Sequence, residues 1–301
     1  MANKKRVLIT GVSGLLGSNL GFRWKDQYDV LGTFNTHPVH LQGIQTRRVD
    51  LLSDDAMHQV VNDFKPDIVV HGAALANIDA CQDNKELALS MNAHMVTGVV
   101  NALSRSHAKL IFISTDSVYG GDQGNHTEEE KVNPIHYYAH TKYLGELEAL
   151  RYPDALVVRT AFFGWNIQDK LSFAQQIVSK LSNHQQVKGF RDVETSMIYT
   201  FDLADLLDKA IQKDLKGIYN VGCRMSQTKY DFAVLLAKEF NLSISLIEPI
   251  SVDDFDFKAS RGKNQGMSVA KLSEILKEEI LTLEQSVKNY SDDFKRKIPQ
   301  F

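Results

Sequence analysis

The sequence has few cysteines, no long apolar run and little excess of either charge. Two cysteines in 301 residues, Cys81 and Cys223, are too few for a disulfide framework, which favours a reducing compartment. No window reaches the roughly 18 apolar residues of a membrane span, and glycines interrupt the apolar run where a signal peptide would continue it. A formal net charge of -3 gives no reason to expect nucleic acid or an anionic membrane as a partner. A cytoplasmic protein is expected.

Short apolar runs alternate with longer helical patterns through the first half of the chain. Strands are predicted at 6–10, 29–34, 46–49, 67–71, 109–114 and 155–159, and helices at 15–26, 53–64, 80–106 and 136–150. Three of the strands are continuous apolar runs, as expected when both faces of a sheet are covered. This strand–helix repetition predicts a parallel, doubly wound α/β sheet of the Rossmann type.

The second half of the chain has a more mixed pattern. Helices are predicted at 171–183, 202–213, 228–240, 268–277 and 283–296, with strands near 187–190, 217–221 and 244–247. We predict a nucleotide-binding domain over 1–160 and a smaller, mixed α/β substrate-binding lobe over 161–301. A return of the segment near 198–222 to the first domain is left open.

The first predicted strand runs directly into a glycine-rich turn, Gly11-Val-Ser-Gly14-Leu-Leu-Gly17. Glycine permits a tight turn and a close approach of the backbone to a pyrophosphate, and the third glycine lets the following helix pack on the strand. The helix N-terminus then offers unpaired N–H groups to phosphates. Although the spacing differs from the G-x-G-x-x-G of simple Rossmann dehydrogenases, its place between strand and helix predicts a dinucleotide site.

The end of the second strand bears on the choice of cofactor. NAD-specific sites carry an acid there for the ribose hydroxyls, but residues 33–37 read Thr-Phe-Asn-Thr-His. A neutral pocket accepts a 2′-phosphate, so NADP is favoured and NAD is left open. Arg47 and Arg48 are candidates to contact that phosphate, although arginines near a strand are usually only solvated.

Two further segments carry candidate catalytic groups. The fifth strand leads into Ser114-Thr115-Asp116, and a later helix carries Tyr138 and Lys142. A spacing of four places the tyrosine and the lysine on one helix face. A nearby ammonium lowers the pKa of a phenol from about 10, which would make Tyr138 a general acid or base near neutral pH. The Thr115 hydroxyl, at the strand end, can hydrogen-bond a reacting carbonyl.

Taken together, these motifs resemble the extended short-chain dehydrogenase/reductase family over about half of the chain. Within that family the chain looks most like the dTDP-4-dehydrorhamnose reductase branch, which also includes the regulatory β subunit of methionine adenosyltransferase. The matching elements are the glycine loop, Asp50-Leu51, His71-Gly-Ala-Ala74, Asn92, Ser114-Thr115-Asp116, Tyr138-x-x-x-Lys142 with Gly145-Glu146, and Arg159-Thr160. The branch is indicated by residues 65–70 and 73–82, the Ser-Thr-Asp triplet and Gly217-Ile-Tyr-Asn220.

The resemblance implies roles for individual residues. Thr115 and Tyr138 would hold and protonate the carbonyl, and Lys142 would bind the nicotinamide ribose and tune Tyr138. Asp116 is either a substrate contact or a cap at the strand end, and Phe162 would lie beside the sugar. The implied cofactor contacts are Gly11, Ser13, Gly14, Leu15, Leu16, Gly17, Asp50, Leu51, Ala73, Ala74, Leu75, Asn92, Tyr138 and Lys142.

The residues after the Ser-Thr-Asp triplet depart from the reductase branch. Ser117-Val118-Tyr119 looks more like the epimerases and dehydratases. Dehydratases carry a glutamate where this chain has Ser117, because eliminating water needs an extra acid–base group, so dehydration is not expected. The first hypothesis is an NAD(P)H-dependent reductase of a 4-keto-6-deoxy nucleotide sugar. A C4 epimerase and a non-catalytic, NADP-binding regulatory subunit are the alternatives, and a homodimer is left open.

Two histidines, His136 and His140, have a spacing typical of metal ligands. They lie two residues from Tyr138 and Lys142, which turns them by about 200° around a helix and away from the site. No metal site is therefore predicted. The acidic run 128–130 is predicted to be a solvated loop.

Overall fold

The computed structural model describes residues 4–121, 123–167 and 170–298. The strands are β1 (Arg6–Thr10), β2 (Asp29–Phe34), β3 (Gln45–Arg48), β4 (Ile68–His71), β5 (Lys109–Ile113), β6 (Ala155–Arg159), β7 (Phe162–Phe163), β8 (Val187–Phe190), β9 (Glu194–Thr195), β10 (Ile198–Tyr199), β11 (Gly217–Asn220), β12 (Gln227–Thr228), β13 (Ile247–Ile250) and β14 (Asn264–Gln265). The α-helices are α1 (Leu15–Trp24), α2 (Asp54–Phe64), α3 (Ile78–Asp83), α4 (Lys85–Leu89), α5 (Met95–Leu103), α6 (Tyr137–Ala149), α7 (Phe173–Ser182), α8 (Thr200–Gln212), α9 (Lys229–Glu239), α10 (Ala270–Leu276) and α11 (Leu283–Lys295).

β1 illustrates why the apolar runs become central strands. Val7, Leu8 and Ile9 are fully buried, and because side chains alternate along a strand, Val7 and Ile9 enter one core and Leu8 the other. The strands pair in the order β11-β6-β5-β4-β1-β2-β3, with every neighbouring pair parallel. The prediction of a doubly wound, parallel α/β sheet is confirmed.

The strand order reverses direction at β1, which has β2 on one side and β4 on the other. Thr10, at the end of β1, lies opposite both Thr33 of β2 and His71 of β4. The loops that follow these three strands therefore meet at one edge of the sheet. In open α/β sheets this switch point is where ligands bind.

The outermost strand of the sheet, β11, comes from the second half of the chain. It pairs with β6, and Ile218 lies opposite Val157. The region near 198–222 thus contributes a strand to the first sheet, while the division of the chain at residue 160 stays a prediction.

Three small sheets lie beyond β6 in the described part of the chain. β9 pairs with β12 and β14, β8 pairs with β13, and β7 pairs with β10. A backbone bond from Asn264 to the carbonyl of Gly121 ties this part of the chain to the loop that follows β5. The sheet of β9, β12 and β14 is thereby attached to the carboxyl edge of the large one.

Two predicted elements have a different form in the structure. The helix predicted over 80–106 is divided into α3, α4, a π-helical turn over Ser90–His94, and α5. The break arises at Asn84, whose side chain accepts a hydrogen bond from Leu87 N and starts a new helix. The strand predicted at 244–247 is a 3₁₀ turn over Ile244–Leu246, and the strand itself begins at Ile247, where pairing with Val187 starts.

Candidate active site

The glycine loop after β1 packs tightly against the loop that follows β4. Gly11 has a positive φ of 73°, and a Cβ there would lie 2.9 Å from Ala73 Cα. At Gly17 a Cβ would lie 2.4 Å from the Gly11 carbonyl oxygen, so only glycine lets α1 pack on the loop. Gly14 is different, because it is exposed and its Cβ would have a single neighbour at 3.3 Å. Gly14 therefore leaves open space on the exposed side of the loop.

The N-terminus of α1 lies at the end of this glycine loop. Gly14 is the N-cap residue in an extended conformation, no described side chain caps the helix, and its first turn contains no acid. The first N–H groups of a helix have no partner within the helix, and they carry a partial positive charge. An anionic group such as a pyrophosphate fits this position. Of the other predicted contacts here, Leu15 and Ser13 are half-buried and Leu16 is buried.

Asn92 holds the loop after β4 in place. Its Oδ1 accepts a hydrogen bond from Leu75 N at 2.8 Å, and its Nδ2 donates to Leu75 O at 3.1 Å and to Thr141 Oγ1 at 3.0 Å. The side chain is fully buried in the π-helical turn. These bonds give Asn92 a supporting position beneath residues 73–75, which adjoin the glycine loop.

The other end of the predicted dinucleotide site lies where β2 and β3 finish. Asp50 is exposed, and its Oδ1 accepts hydrogen bonds from Leu52 N at 3.1 Å and Asn35 Nδ2 at 3.4 Å, while Leu51 is buried. Arg48 Nε donates to the Asn35 carbonyl at 3.1 Å. Arg47 points elsewhere, because it pairs with Asp63 at 3.0 Å. Of the two arginines, Arg48 is the one beside the end of β2.

Thr115 and Tyr138 meet at the carboxyl edge of the sheet. Thr115 follows β5 and accepts a hydrogen bond from Ser117 N at 3.1 Å, which fixes a 3₁₀ turn over Asp116–Val118. Tyr138 lies in the first turn of α6, close enough to Thr115 that a hydrogen bond between the two side chains acts to lower the pKa of the phenol. The structure thus brings together two of the three predicted catalytic residues.

The pKa of Tyr138 is shifted in the direction opposite to the prediction. Burial of the phenol raises its pKa above the ordinary value of 10, and this outweighs the bond to Thr115, while the Asp116 carboxylate adds to the increase. Lys142 lies one turn further along α6 and donates from Nζ to the Ile113 carbonyl at 2.7 Å. Its ammonium lies 4.1 Å from the centre of the Phe112 ring. The expected lowering of the Tyr138 pKa by Lys142 is therefore wrong for this arrangement.

Two opposing effects act on the pKa of Lys142. Burial lowers the pKa of Lys142 from 10.5 to about 7, and the nearby Glu146 carboxylate opposes this shift. Glu146 accepts three bonds from Arg159, at 3.0 and 3.2 Å from Nε and at 2.7 Å from Nη2, and one from Ser114 Oγ at 2.5 Å. All four groups are buried. A paired ion network thus lies directly beneath the candidate catalytic residues.

The same network reaches into the second half of the chain. Arg159 Nη1 donates to the Tyr119 hydroxyl at 2.9 Å, and that hydroxyl is 2.9 Å from Asn220 Oδ1. Asn220 N donates to Glu128 Oε1 at 2.8 Å. Glu128 is buried, so the prediction of a solvated loop is wrong for this residue, and burial raises its pKa. The network joins α6, the loop after β5 and β11.

A cavity of about 150 Å³ is lined in part by Ser117 and His136, which lie one residue from Asp116 and two residues from Tyr138 in the chain. Lys229 and Arg261 supply two cations to its wall, and the buried Asp116 lies close enough to Lys229 that each charge shifts the pKa of the other. Asp116 Oδ2 also accepts from Thr195 Oγ1 at 2.8 Å. The residues that line the cavity are Ile78, Ser117, His136, Phe190, Val193, Lys229, Val252, Phe257, Arg261, Gly262 and Gln265.

Two residues, His136 and Phe162, lie in positions relative to this cavity that differ from those expected from the sequence. His136 is the N-cap residue of α6 and is itself extended, so a rotation calculated for helical residues does not apply to it, and it faces the cavity. Phe162 lies in β7, packs against the larger core and is not among the described side chains that line the cavity. Lys229 and Arg261 were not predicted, because neither belongs to a recognisable motif.

Neither a metal centre nor a membrane-spanning segment is found in the part of the chain that the structure describes. No group of three histidine, cysteine or acidic side chains is placed to hold a metal ion. No helix within 4–121, 123–167 and 170–298 is long and apolar enough to cross a membrane.

The chain matches the family model of the RmlD substrate binding domain over residues 5–296. It belongs to this family. Methionine adenosyltransferase 2 subunit beta of Danio rerio is 28% identical over 279 residues, covering 89% of this chain and 84% of that protein. The dTDP-4-dehydrorhamnose reductase of Aggregatibacter actinomycetemcomitans is 24% identical over 285 residues, covering 89% and 92%.

A solved structure shares this fold. The dTDP-4-dehydrorhamnose reductase of Bacillus anthracis, solved in complex with NADP, superposes with a TM-score of 0.85 at 24% identity. The match covers 96% of this chain and 99% of that one. The two folds therefore agree along nearly their whole length.

Proposed function

We propose that this protein is an NADPH-dependent reductase of a 4-keto-6-deoxy nucleotide sugar. The observation that carries the proposal is the contact between Thr115 and Tyr138 at the carboxyl edge of the sheet, with Lys142 one turn further along α6. The family supports it, as does a relative named dTDP-4-dehydrorhamnose reductase.

The cofactor position follows from the backbone around α1. The open helix N-terminus at Gly14 would hold the pyrophosphate, and Arg48 with Asn35 would lie near the 2′-phosphate. Lys142 would contact the nicotinamide ribose, and NADPH, when bound, would supply the hydride. The superposed reductase from Bacillus anthracis was solved with NADP, which agrees with this choice of cofactor.

The side chains of this protein would supply the proton. A raised pKa keeps the Tyr138 phenol protonated at neutral pH, so it is ready to donate its proton to the carbonyl oxygen as that oxygen gains charge. The Thr115 hydroxyl would donate a hydrogen bond to the same oxygen. Burial lowers the pKa of Lys142 to about 7, and the Glu146 carboxylate opposes this shift and so favours the charged ammonium.

The cavity would bind the nucleotide sugar. A diphosphate carries negative charge, and Lys229 and Arg261 are the basic side chains of the cavity wall. Burial lowers the pKa of Lys229 and Arg261 is paired with Asp79, so a bound diphosphate would favour the charged form of the lysine and compete with Asp79 for the arginine. Ser117 and Gln265 add neutral polar groups suited to sugar hydroxyls. A cytoplasmic location and a homodimer stay predictions.

A second candidate function is a non-catalytic, NADP-binding regulatory subunit. It is favoured by one observation, the 28% identity to methionine adenosyltransferase 2 subunit beta, against 24% to the reductase. The two candidates share the glycine loop and differ in whether the bound cofactor is consumed.

Measuring cofactor consumption with a panel of nucleotide sugars separates the candidates. The purified protein is incubated with NADPH or NADH and with dTDP-4-dehydrorhamnose, its UDP and GDP counterparts, or UDP-glucose. Reduction of a 4-keto sugar with loss of NADPH supports the proposal. Tight NADPH binding without turnover of any sugar would favour the regulatory subunit, and inversion at C4 without net consumption would indicate an epimerase.

A further inference from the structure

His136 caps the N-terminus of α6 and also lines the cavity. It is the N-cap residue of α6, and its Nδ1 accepts a hydrogen bond from Ala139 N at 3.1 Å. The side chain is only 6% exposed, yet it lines the cavity together with Ser117 and Arg261. One ring nitrogen therefore serves the helix, while the other remains for the cavity.

The bond to Ala139 determines where the imidazole carries its proton. A nitrogen that accepts from a backbone N–H has no proton of its own, so the neutral ring must carry its single proton on Nε2. Burial, assisted by the Arg261 guanidinium, lowers the pKa of His136 to about 4, although Asp79 acts in the opposite direction. At neutral pH the ring is therefore uncharged, and its Nε2 can donate a hydrogen bond but cannot accept one.

The Nε2–H group has no partner within the protein. Among the residues at 4–121, 123–167 and 170–298, none forms a hydrogen bond with it, and the atom is not sealed from solvent. Arg261, which also lines the cavity, is already paired with Asp79 at 2.8 Å. Because this donor is not sealed from solvent, water or a ligand in the cavity can accept its hydrogen bond. A ligand that displaced the water without accepting the bond would leave the donor unpaired.

The position of the ring indicates which part of a ligand it would meet. The His136 and Tyr138 rings are stacked with their centres 6.0 Å apart. Tyr138 is the proposed proton donor, so a group bound by His136 lies next to the reacting carbonyl. The diphosphate would be nearer to the charged groups of Lys229 and Arg261.

We propose that His136 is a specificity-determining residue whose Nε2–H donates a hydrogen bond to an oxygen of the sugar beside the reacting carbonyl. This inference rests on the proposed function. It predicts selection for sugars with an oxygen acceptor at that position, because an analogue without one would leave the buried donor unpaired.

His136→Asn separates the two duties of the side chain. Asparagine is a good N-cap residue and can accept the bond from Ala139 N, but it is too short to present the same donor to the cavity. We expect KM for dTDP-4-dehydrorhamnose to rise about tenfold, the worth of one hydrogen bond. The melting temperature and the affinities for NADPH and for dTDP without its sugar should be unchanged. His136→Ala, which also loses the cap, should lower the melting temperature.

An unchanged KM in His136→Asn would overturn the inference. A second measurement does not depend on the substrate: ¹⁵N NMR of the full-length protein with labelled histidine should show His136 protonated at Nε2 and unprotonated at Nδ1. A proton on Nδ1 would also overturn it. If the wild-type protein reduces no sugar, the proposed function fails, and the NMR result alone then decides whether His136 presents a donor.

Discussion

The glycine loop and the cavity differ in which parts of the chain supply the groups that would contact a ligand. The loop is one continuous segment, 11–17, and it would bind its ligand through backbone N–H groups at the start of α1. The cavity takes side chains from separate segments between residues 78 and 265. A backbone site tolerates many side-chain changes provided that its glycines remain, whereas a side-chain site changes with each substitution. One half of the active site is therefore suited to a constant cofactor and the other to a variable substrate.

The buried pair of Glu146 and Arg159 lies beneath the candidate catalytic residues at the edge of the sheet that both regions share, and breaking it should have the largest effect. Arg159→Met leaves the Glu146 carboxylate buried with only Ser114 as a partner and removes a donor from Tyr119. Removing one partner of a buried ion pair typically costs about 3–5 kcal/mol of unfolding free energy. Urea denaturation measures this loss. Arg23→Met is the control, because its pair with Asp205 is about half exposed, and it should cost less than about 1 kcal/mol. Equal losses in the two variants would contradict the expected difference between a buried and an exposed ion pair.

Gly14→Val tests the backbone character of the cofactor site. A Cβ at this position has one neighbour, at 3.3 Å, so the protein should fold. The added side chain would occupy the space above the helix N-terminus, and we expect NADPH affinity to fall on the order of 100-fold, about 2.7 kcal/mol. Calorimetric titration measures the affinity, and circular dichroism checks the fold. Gly17→Ala is the contrasting variant and should not fold normally, because its Cβ would lie 2.4 Å from a carbonyl oxygen. Normal NADPH affinity in Gly14→Val would refute this placement.

The pH dependence of stability tests the environment of Lys142. Its pKa is about 7 in the folded protein against 10.5 ordinarily, so between these values the unfolded chain binds more protons and folding becomes more favourable as pH rises. Lys142→Met removes this contribution. The stability of the wild type relative to Lys142→Met should therefore increase by about 1 kcal/mol from pH 7 to pH 8. Glu146 and His71, the other titratable groups that interact with Lys142, are present in both proteins. Parallel pH profiles would contradict the shift.

The choice between NADPH and NADH should show the smallest effect. Arg48 is exposed beside the end of β2, and its contact with a 2′-phosphate would be a surface ion pair. Such pairs contribute less than about 1 kcal/mol, so Arg48→Met should weaken NADPH binding about threefold and leave NADH binding unchanged. Arg47→Met, whose arginine pairs with Asp63, is the matched control. The prediction fails if wild-type protein strongly prefers NADH.

The sequence predicts the glycine loop better than it predicts the cavity, and the reason is physical. Apolar runs, glycines and the Tyr138–Lys142 spacing are local signals, because strand burial, turn geometry and helix periodicity depend on neighbouring residues. Lys229 and Arg261 meet only through tertiary packing of α9 and the segment before β14, and no local pattern marks them. His136 illustrates the same limit, since an error of one residue in the start of α6 reverses the direction assigned to its ring. The pKa of Tyr138 likewise depends on burial, which its spacing from Lys142 does not report.

The central claim is that Tyr138 donates the proton during reduction of a sugar ketone. The most direct test is the turnover of NADPH by Tyr138→Phe with saturating dTDP-4-dehydrorhamnose, compared with the wild type and with Tyr137→Phe. Proton transfer by a positioned side chain is worth about 10²–10⁴-fold, so Tyr138→Phe should lose activity by that order while its NADPH affinity is nearly unchanged. Tyr137→Phe should behave like the wild type. Full turnover in Tyr138→Phe would contradict the claim.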